Sequence, residues 1–533
     1  MRSCSLLGRE LHHFGRVFPR LCHVGTVVGL ATAPTVGAGV WAPAVRAQES
    51  EATAELSVDT PTPITAAELE PLLGEVRSHP LVLKSTVAVQ VMNLETGDEV
   101  FSLDGDAPLI PASVTKALTA AAALRTLGPT YRFTTDFLRV GEINEDGVLE
   151  GDLYIRGTGD PSLVVEKLWK MFQDLQVEGI VEIDGDIIFD DMWFDREYLI
   201  AGWRKKVDMA AGPAYFAPIS ALSLNFNTVS IVVAPAMKAG EPARVQLETP
   251  AEVIQLVSEV ETVRAGKRSW IQIEREIDPK THVVTFTMEG AIPAGGETER
   301  HYRSVGNPIA WTMSATDELF EKTGIKLNGR FKLDETPEDA ELVVHHVSQP
   351  LHELLNHTNK YSSNIMAEHI LKAMGAEVKG EPGTTEKGLE VVREYLDEVG
   401  IPRSEYTLVN GSGLTREASL APSHVNAIMM DMFHHPQLAP EFMASLSVGG
   451  VDGTLRRRFD EVPGAVRGKT GSLNGVYCLT SYVRAQTGET YAMTFFANDL
   501  RRSRPARALQ DTIGEAIMGW SGALPETPEN EAE

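Results

Sequence analysis

Cysteine is nearly missing from this chain: three stand among 533 residues. Two of them, Cys4 and Cys22, fall in the first 47 residues, so Cys478 is alone beyond that point. An intramolecular disulfide and a thiol-based metal cluster are both excluded for the remainder. Cys478 sits in the apolar run Val476-Tyr-Cys-Leu479, where it reads as a buried strand residue rather than a nucleophile. Positive charge is also scarce. Lys and Arg number 48 against 74 Asp and Glu, for a formal net charge of −26. So negative a chain repels nucleic acid and anionic membranes, which leaves neither as a partner. Long apolar runs are missing after Trp41, so nothing downstream is expected to span a bilayer.

The one long uncharged run, Val24 to Trp41, follows Arg2, Arg9, Arg16 and Arg20 and precedes Val45-Arg46-Ala47, a small-x-small cleavage pattern before Gln48. Residues 1–47 are therefore expected to be a signal peptide, cleaved on export, which implies a periplasmic or otherwise extracytoplasmic protein without stable membrane insertion. A retained transmembrane anchor is the alternative. Against it, the run is softened by Gly, Ala and Pro34, and the cleavage pattern follows at once. Cys22 lies in Arg20-Leu-Cys-His, which lacks the small residues of a lipoprotein signal. Five Arg and one Glu give the leader a net +4, and its loss takes the charge from −26 to −30. Residues 48–63 and 521–533 are acidic and carry Thr and Pro with little to bury. Both are expected to be disordered, as linker and tail.

Between these ends the pattern changes twice. Val87, Val89 and Val91 alternate with Ala88 and Gln90, a strand; Glu95-Thr-Gly97-Asp98 is a turn, and Glu99 to Leu103 returns as a second strand. Ser113 to Leu127 is rich in Ala and Leu and is predicted helical, stopped by Gly128-Pro129. From Tyr131 to about His345 short strands, Gly-rich turns and charged loops take over, among them 133–140, 148–155, 183–190 and 283–288. Helices are predicted over 351–358 and 363–374, strands over 467–471, 476–484 and 490–497, and a closing amphipathic helix over 503–520.

Three short motifs stand in order: Ser113-Val-Thr-Lys116, Ser362-Ser-Asn364 and Lys469-Thr-Gly471. Each alone is weak. Each together with the others supplies a different part of one reaction. A serine hydroxyl needs a neighbour to take its proton. Lys116, one helical turn from Ser113, can do so if burial and a nearby cation lower its pKa, and Lys469 is the natural cation. Ser362 can relay a proton between Lys116 and a leaving amine, and Asn364 offers an amide to Lys116 or to a substrate carbonyl. Lys469 and Thr470 suit a free carboxylate, while Gly471 leaves room for substrate against the strand. Other patterns carry less. His352-Glu353-Leu-Leu-Asn-His357 has one residue too many for two zinc-binding His on one face, so no metal is expected. Gly157-Thr-Gly159-Asp160-Pro161 lacks the Gly-Lys-Ser/Thr ending of a phosphate loop and reads as a tight turn.

The set and its spacing resemble the class C low-molecular-mass penicillin-binding proteins, the D-alanyl-D-alanine carboxypeptidase/endopeptidase family. The gap of about 250 residues between Ser113 and Ser362 is too long for a β-lactamase and is similar to the insertion in that family. Arg156-Gly-Thr-Gly-Asp160-Pro161, Ala221-Leu-Ser-Leu-Asn-Phe-Asn227, Asn410-Gly-Ser-Gly-Leu-Thr-Arg416 and Gly450-Val-Asp-Gly-Thr-Leu455 also resemble it. Asn410 replaces the Asp of the family pattern, at a turn position that accepts either.

The resemblance implies a multidomain α+β protein. A DD-peptidase domain, an antiparallel sheet between helices, would be split over 64–130 and 346–520. A β-rich region over 131–345 would be inserted, as two nested modules with the inner one near 195–305. The implied activity is that of a serine D-Ala-D-Ala carboxypeptidase, with endopeptidase cleavage of D-Ala–diaminopimelate cross-links also in the family's range. The implied partners are peptidoglycan stem peptides as substrates and β-lactams as covalent inhibitors, with no cofactor. The family's oxyanion hole falls on the backbone N–H groups of Ser113 and Ser472. Arg416 and Asn474 align with positions beside the cleft, where Arg suits a carboxylate on the third stem residue. Two rivals are a β-lactamase, against which the insertion speaks, and a non-catalytic peptidoglycan-binding scaffold, which would have no need of both Lys116 and Lys469.

Overall fold

The structure is a computed structural model that describes residues 66–199, 202 and 212–519. The expected signal peptide, acidic linker and acidic tail lie outside the described residues.

A six-stranded antiparallel sheet is assembled from both ends of the chain. Its order is Ser447–Val448, Val466–Leu473, Val476–Arg484, Thr490–Asn498, Thr86–Asn93 and Glu99–Leu103. Thr86 pairs with Asn498 and Asn93 with Tyr491. Alternation along the strands sends side chains to two different cores. Val87, Val89, Val91, Val483 and Phe495 pack with Leu69 and Leu73 of helix Ala66–Gly74 and Leu509 and Ile513 of helix Arg504–Met518. Cys478, Tyr482 and Phe496 face the opposite way, into a helical core with Leu118, Ile370 and Met429. The expected sheet between helices is thus present, and Cys478 is a buried free thiol of that sheet.

Helix Thr115–Thr126 runs through the centre of the second core, buried from Thr115 to Leu124. Four consecutive alanines, 120–123, let neighbouring elements come close. The helix was expected from Ser113. Instead Ala112–Val114 forms a 3-10 turn, and the α-helix begins at Thr115 with no side-chain cap. Ser113 therefore caps nothing, and its hydroxyl is left for other work.

Every named strand between Thr134 and Val347 pairs only with others of that stretch. One seven-stranded mixed sheet uses strands from 134–190 and 326–347; two three-stranded sheets lie between, within 228–304. The stretch is less purely β than expected. Helices Val165–Val177 and Pro308–Phe320 cover the larger sheet, with Phe172 set between Phe137 and Phe320 at ring distances of 5.0 and 5.3 Å. The spacing Leu168, Met171, Phe172, Leu175 is a helical one, set among charged residues that obscure it. Asn307 caps the second helix by accepting from Ile309 and Ala310 N–H, with Pro308 at its first position.

The stretch is anchored to the helical core through Phe194, which packs in that core, and through Lys372. Lys372, fully buried on helix Asn364–Lys379, pairs with Asp195 at 2.5 Å and donates to the Glu197 carbonyl at 3.1 Å.

Candidate active site

The segment Pro111 to Ser113 is gripped from two sides, and a glycine permits each approach. A Cβ on Gly413 would lie 2.0 Å from the Ala112 carbonyl oxygen; one on Gly471 would lie 2.5 Å from the Pro111 oxygen and 3.2 Å from the Ser113 nitrogen. Gly471 was expected to make room for substrate. Its first effect is to let its strand press against Pro111 and Ser113. Ala112 is left-handed at φ 47°, a conformation costing an alanine about 1–2 kcal/mol that the surrounding packing must offset.

Lys116 Nζ stands 2.8 Å from Ser113 Oγ, 2.7 Å from Asn364 Oδ1 and 2.7 Å from the Ser412 carbonyl oxygen. Burial drives its pKa well below that of an ordinary lysine; the charge of Lys469 adds to this and Glu368 opposes it. A neutral amine has two hydrogens and one lone pair. Asn364 and Ser412 accept the hydrogens, which leaves the lone pair for the Ser113 hydroxyl.

Ser362 occupies the turn between helices Leu351–Lys360 and Asn364–Lys379, left-handed at φ 57°. Its Oγ accepts from Lys469 Nζ at 2.9 Å, and Lys469 also donates to the Thr470 carbonyl at 2.7 Å. Lys469 is fully buried, which lowers its pKa to about 7. The Asn364 amide nitrogen donates to the Tyr215 carbonyl at 3.1 Å, so each end of that side chain has a fixed partner.

Strand Val466–Leu473 is covered on its outer edge by Ser447–Val448 only at Gly468 and Arg467. From Lys469 onward that edge is open to the cleft. Ser113, Ser362, Thr470, Gly471 and Ser472 line one cavity of about 690 Å³. Lys116, Asn364 and Lys469 stand behind its wall. The Thr470 hydroxyl donates to Thr454 Oγ1 at 2.8 Å. Arg416 and Asn474 meet one another at the strand's far end, where the guanidinium donates to the Asn474 carbonyl; both are exposed.

Sequence reasoning missed the layer beneath. The Glu368 carboxylate, fully buried, accepts the N–H groups of Gly411 at 3.1 Å and Ser412 at 2.9 Å. Asn410 Oδ1 accepts from Gly413 N–H at 2.8 Å, a bond that Asp would make equally well. Burial raises the Glu368 pKa, and the hydrogen bonds and Lys116 oppose that rise. With both oxygens accepting N–H, the ionised form fits the site. The signal was the spacing of Asn364, Glu368 and Lys372, a buried polar stripe at four-residue steps along one face of the helix.

Among the described residues no group of three or more His, Cys, Asp or Glu is disposed to hold a metal. His352 is bound to the Pro129 carbonyl and His357 stacks on Tyr361.

A buried lysine on a serine, a second buried lysine on a hydroxyl and an open strand edge constitute serine-peptidase chemistry. The model of the D-Ala-D-Ala carboxypeptidase 3 (S13) family matches residues 72–518. The chain belongs to that family. This carboxypeptidase is 33% identical over 472 residues to a D-alanyl-D-alanine carboxypeptidase of an Actinomadura species, covering 85% of each chain. It is 26% identical over 425 residues to the D-alanyl-D-alanine carboxypeptidase DacB of Haemophilus influenzae, covering 78% of this chain and 85% of the relative. The crystal structure of penicillin-binding protein 4 from Haemophilus influenzae superposes with a TM-score of 0.69 at 25% identity, over 83% of this chain and 94% of the other. The S13 carboxypeptidase is a hydrolase of the penicillin-binding-protein type, as its three motifs implied.

Proposed function

We propose that this D-Ala-D-Ala carboxypeptidase works through a Ser113 acyl-enzyme with Lys116 as general base. The observation that carries the reading is the 2.8 Å contact between Ser113 Oγ and a fully buried Lys116 whose pKa is depressed. Oγ attacks the carbonyl of the penultimate D-Ala as its proton passes to Nζ. The backbone N–H groups of Ser113 and Ser472 receive the oxyanion, each such donor being worth about 3–4 kcal/mol in the transition state. The tetrahedral intermediate then expels the terminal D-Ala, its nitrogen taking a proton from Lys116 by way of the Ser362 hydroxyl. Water, deprotonated by Lys116, releases the shortened peptide. Lys469, Thr470 and Ser472 hold the free carboxylate, and Asn364 keeps Lys116 aimed.

The same groups would open a β-lactam ring, and because the leaving nitrogen stays tethered the adduct would persist. The open strand edge admits a longer leaving group as well, so cross-link endopeptidase activity on peptidoglycan belongs to the reading. Arg416, held against Asn474, would meet the third stem residue. The basic leader and its cleavage pattern support export, with this work done outside the cytoplasm. Mass spectrometry of products from purified muropeptides tests the activity. Loss of one D-Ala is expected, and unchanged pentapeptides would overturn the reading. N-terminal sequencing of secreted protein should begin at Gln48, and protein released only by detergent would refute the export.

A further inference from the structure

The cavity that holds Ser113 does not end at the carboxylate clamp. It continues past Thr470 to a wall that includes Arg456, Arg457, Arg458, Arg504 and Arg507. This is a concentration of positive charge in a chain of net charge −26. The wall is braced. Arg458 bonds Asp511 Oδ1 at 2.6 and 2.9 Å and Gln510 Oε1 at 3.0 Å, so the 456–458 turn is stapled to helix Arg504–Met518. Thr454 ties the same turn to Thr470 at 2.8 Å, and Asp452 ties it to Lys360 at 2.5 Å, two residues before Ser362. Asp511 is the sole acid among the cavity's lining residues and is already committed to Arg458. Arg456, Arg457 and Arg504 have no acidic partner among the described residues, and all three are exposed, as is Arg507.

Position decides what this charge faces. Arg416 and Asn474 lie beyond the Leu473 end of the strand, while the arginines join the cleft through Thr454 and Thr470 at the carboxylate-binding end. A substrate laid along the open edge with its terminal carboxylate at Lys469 and Thr470 sends any extension of its leaving group toward the arginines. A second stem peptide carries free carboxylates there, and paired guanidinium groups suit them.

We propose that Arg456, Arg457, Arg504 and Arg507 form a second anion subsite, beyond the D-Ala carboxylate clamp, that receives the carboxylate-bearing leaving stem of a cross-linked peptide. The proposal rests on the peptidase reading above, and makes the enzyme an endopeptidase selective for ionised leaving stems.

The test uses the mature protein and two cross-linked peptide dimers that both keep the carboxylate meant for Lys469 and Thr470 and differ only in the remaining free carboxylates of the leaving stem, ionised in one and amidated in the other. The wild type should favour the ionised dimer about fivefold in kcat/KM, the scale of two exposed ion pairs. The preference should fade near 1 M salt, where screening shortens to about 3 Å. It should be lost in both Arg456→Ala/Arg457→Ala and Arg504→Ala/Arg507→Ala, with thermal melting confirming that each folds. Equal cleavage of the two dimers by wild type, failure to cleave either, or a preference that survives both double variants overturns the subsite. So does an equal loss on a short D-Ala-D-Ala peptide, which would mark general attraction of anions. Failure to release D-Ala even from that short peptide, with no penicillin adduct, would instead remove the peptidase reading beneath it.

Discussion

Glu368 and Lys116 are joined through one residue: Ser412 donates its backbone N–H to the carboxylate at 2.9 Å and offers its carbonyl to Lys116 Nζ at 2.7 Å. The carboxylate holds the loop that holds Lys116. Its charge also favours protonated Lys116, against burial, which disfavours it. Glu368→Gln removes that opposition, so the Lys116 pKa should fall further. The acid limb of penicillin acylation should then move to lower pH while the plateau rate drops, because an amide NH2 now meets an N–H. Unfolding stability should fall by about 2–3 kcal/mol from the lost buried acceptor. Acylation rates from pH 5 to 9 check this, and an unmoved acid limb would leave Glu368 a purely structural role.

Lys469 sets a second pH dependence. Its folded pKa of about 7 lies below the ordinary 10.5, so between those values the unfolded chain binds a proton that the folded chain has released. Stability should therefore rise with pH through that window, by at most about 1.4 kcal/mol per unit for this lysine. The buried Lys116 adds a slope of the same sign. Chemical denaturation at pH 7 and pH 9 measures the rise, and Lys469→Met should reduce it. Above pH 7 the charge is lost, so KM for free-acid peptides should climb while KM for their C-terminal amides stays level.

Ser113→Ala should leave melting nearly unchanged, since the hydroxyl caps no helix, and should abolish the penicillin adduct seen by intact mass. An adduct on any other residue would remove the mechanism.

Gly471→Ala puts a methyl against the Pro111 oxygen, where an ideal Cβ would sit at 2.5 Å. The segment Pro111 to Ser113 must shift. Acylation should slow by roughly a hundredfold, as expected for a misplacement of about 1 Å, while stability falls by about 1–3 kcal/mol. Stopped-flow acylation and thermal melting separate the two effects.

Asp195→Ala strands Lys372, which is fully buried on helix Asn364–Lys379. The loss should be about 3–5 kcal/mol. Lys372→Met in the same background should recover much of it, a coupling that urea titration of the four proteins would read.

Most of the catalytic scaffold was legible in the chain. Alternating valines and a turn at Gly97 announced the first hairpin, and Ala-Leu richness announced the helix behind Ser113. Both are local signals, and the local preference agrees with the fold. The sites that escaped notice are defined across space. Glu368 looks like one polar residue on a helix until the 410–413 loop is folded onto it, and Ser412 acts through a backbone carbonyl that no side-chain pattern reveals. The left-handed conformations of Ala112 and Ser362 run against local preference and follow only from packing on both sides. Helix Val165–Val177 was missed for the opposite reason: its signal is local, but charged residues obscure its apolar period, and the short charged loops around it suggested strands and turns throughout.

The pairing of Thr86 with Asn498 has a consequence for when the enzyme comes into being. Ser113 is translated early, and the strand that seats its sheet is translated nearly last. A ribosome-bound chain halted before Thr490 holds Ser113 and Lys116 but has nothing to close the sheet between its two ends. The inserted stretch, whose strands pair only within themselves, can fold meanwhile as synthesis proceeds. Acylating competence should thus arrive as a single late event, so that nascent and C-terminally truncated chains are inert toward penicillin although every motif is already present in them.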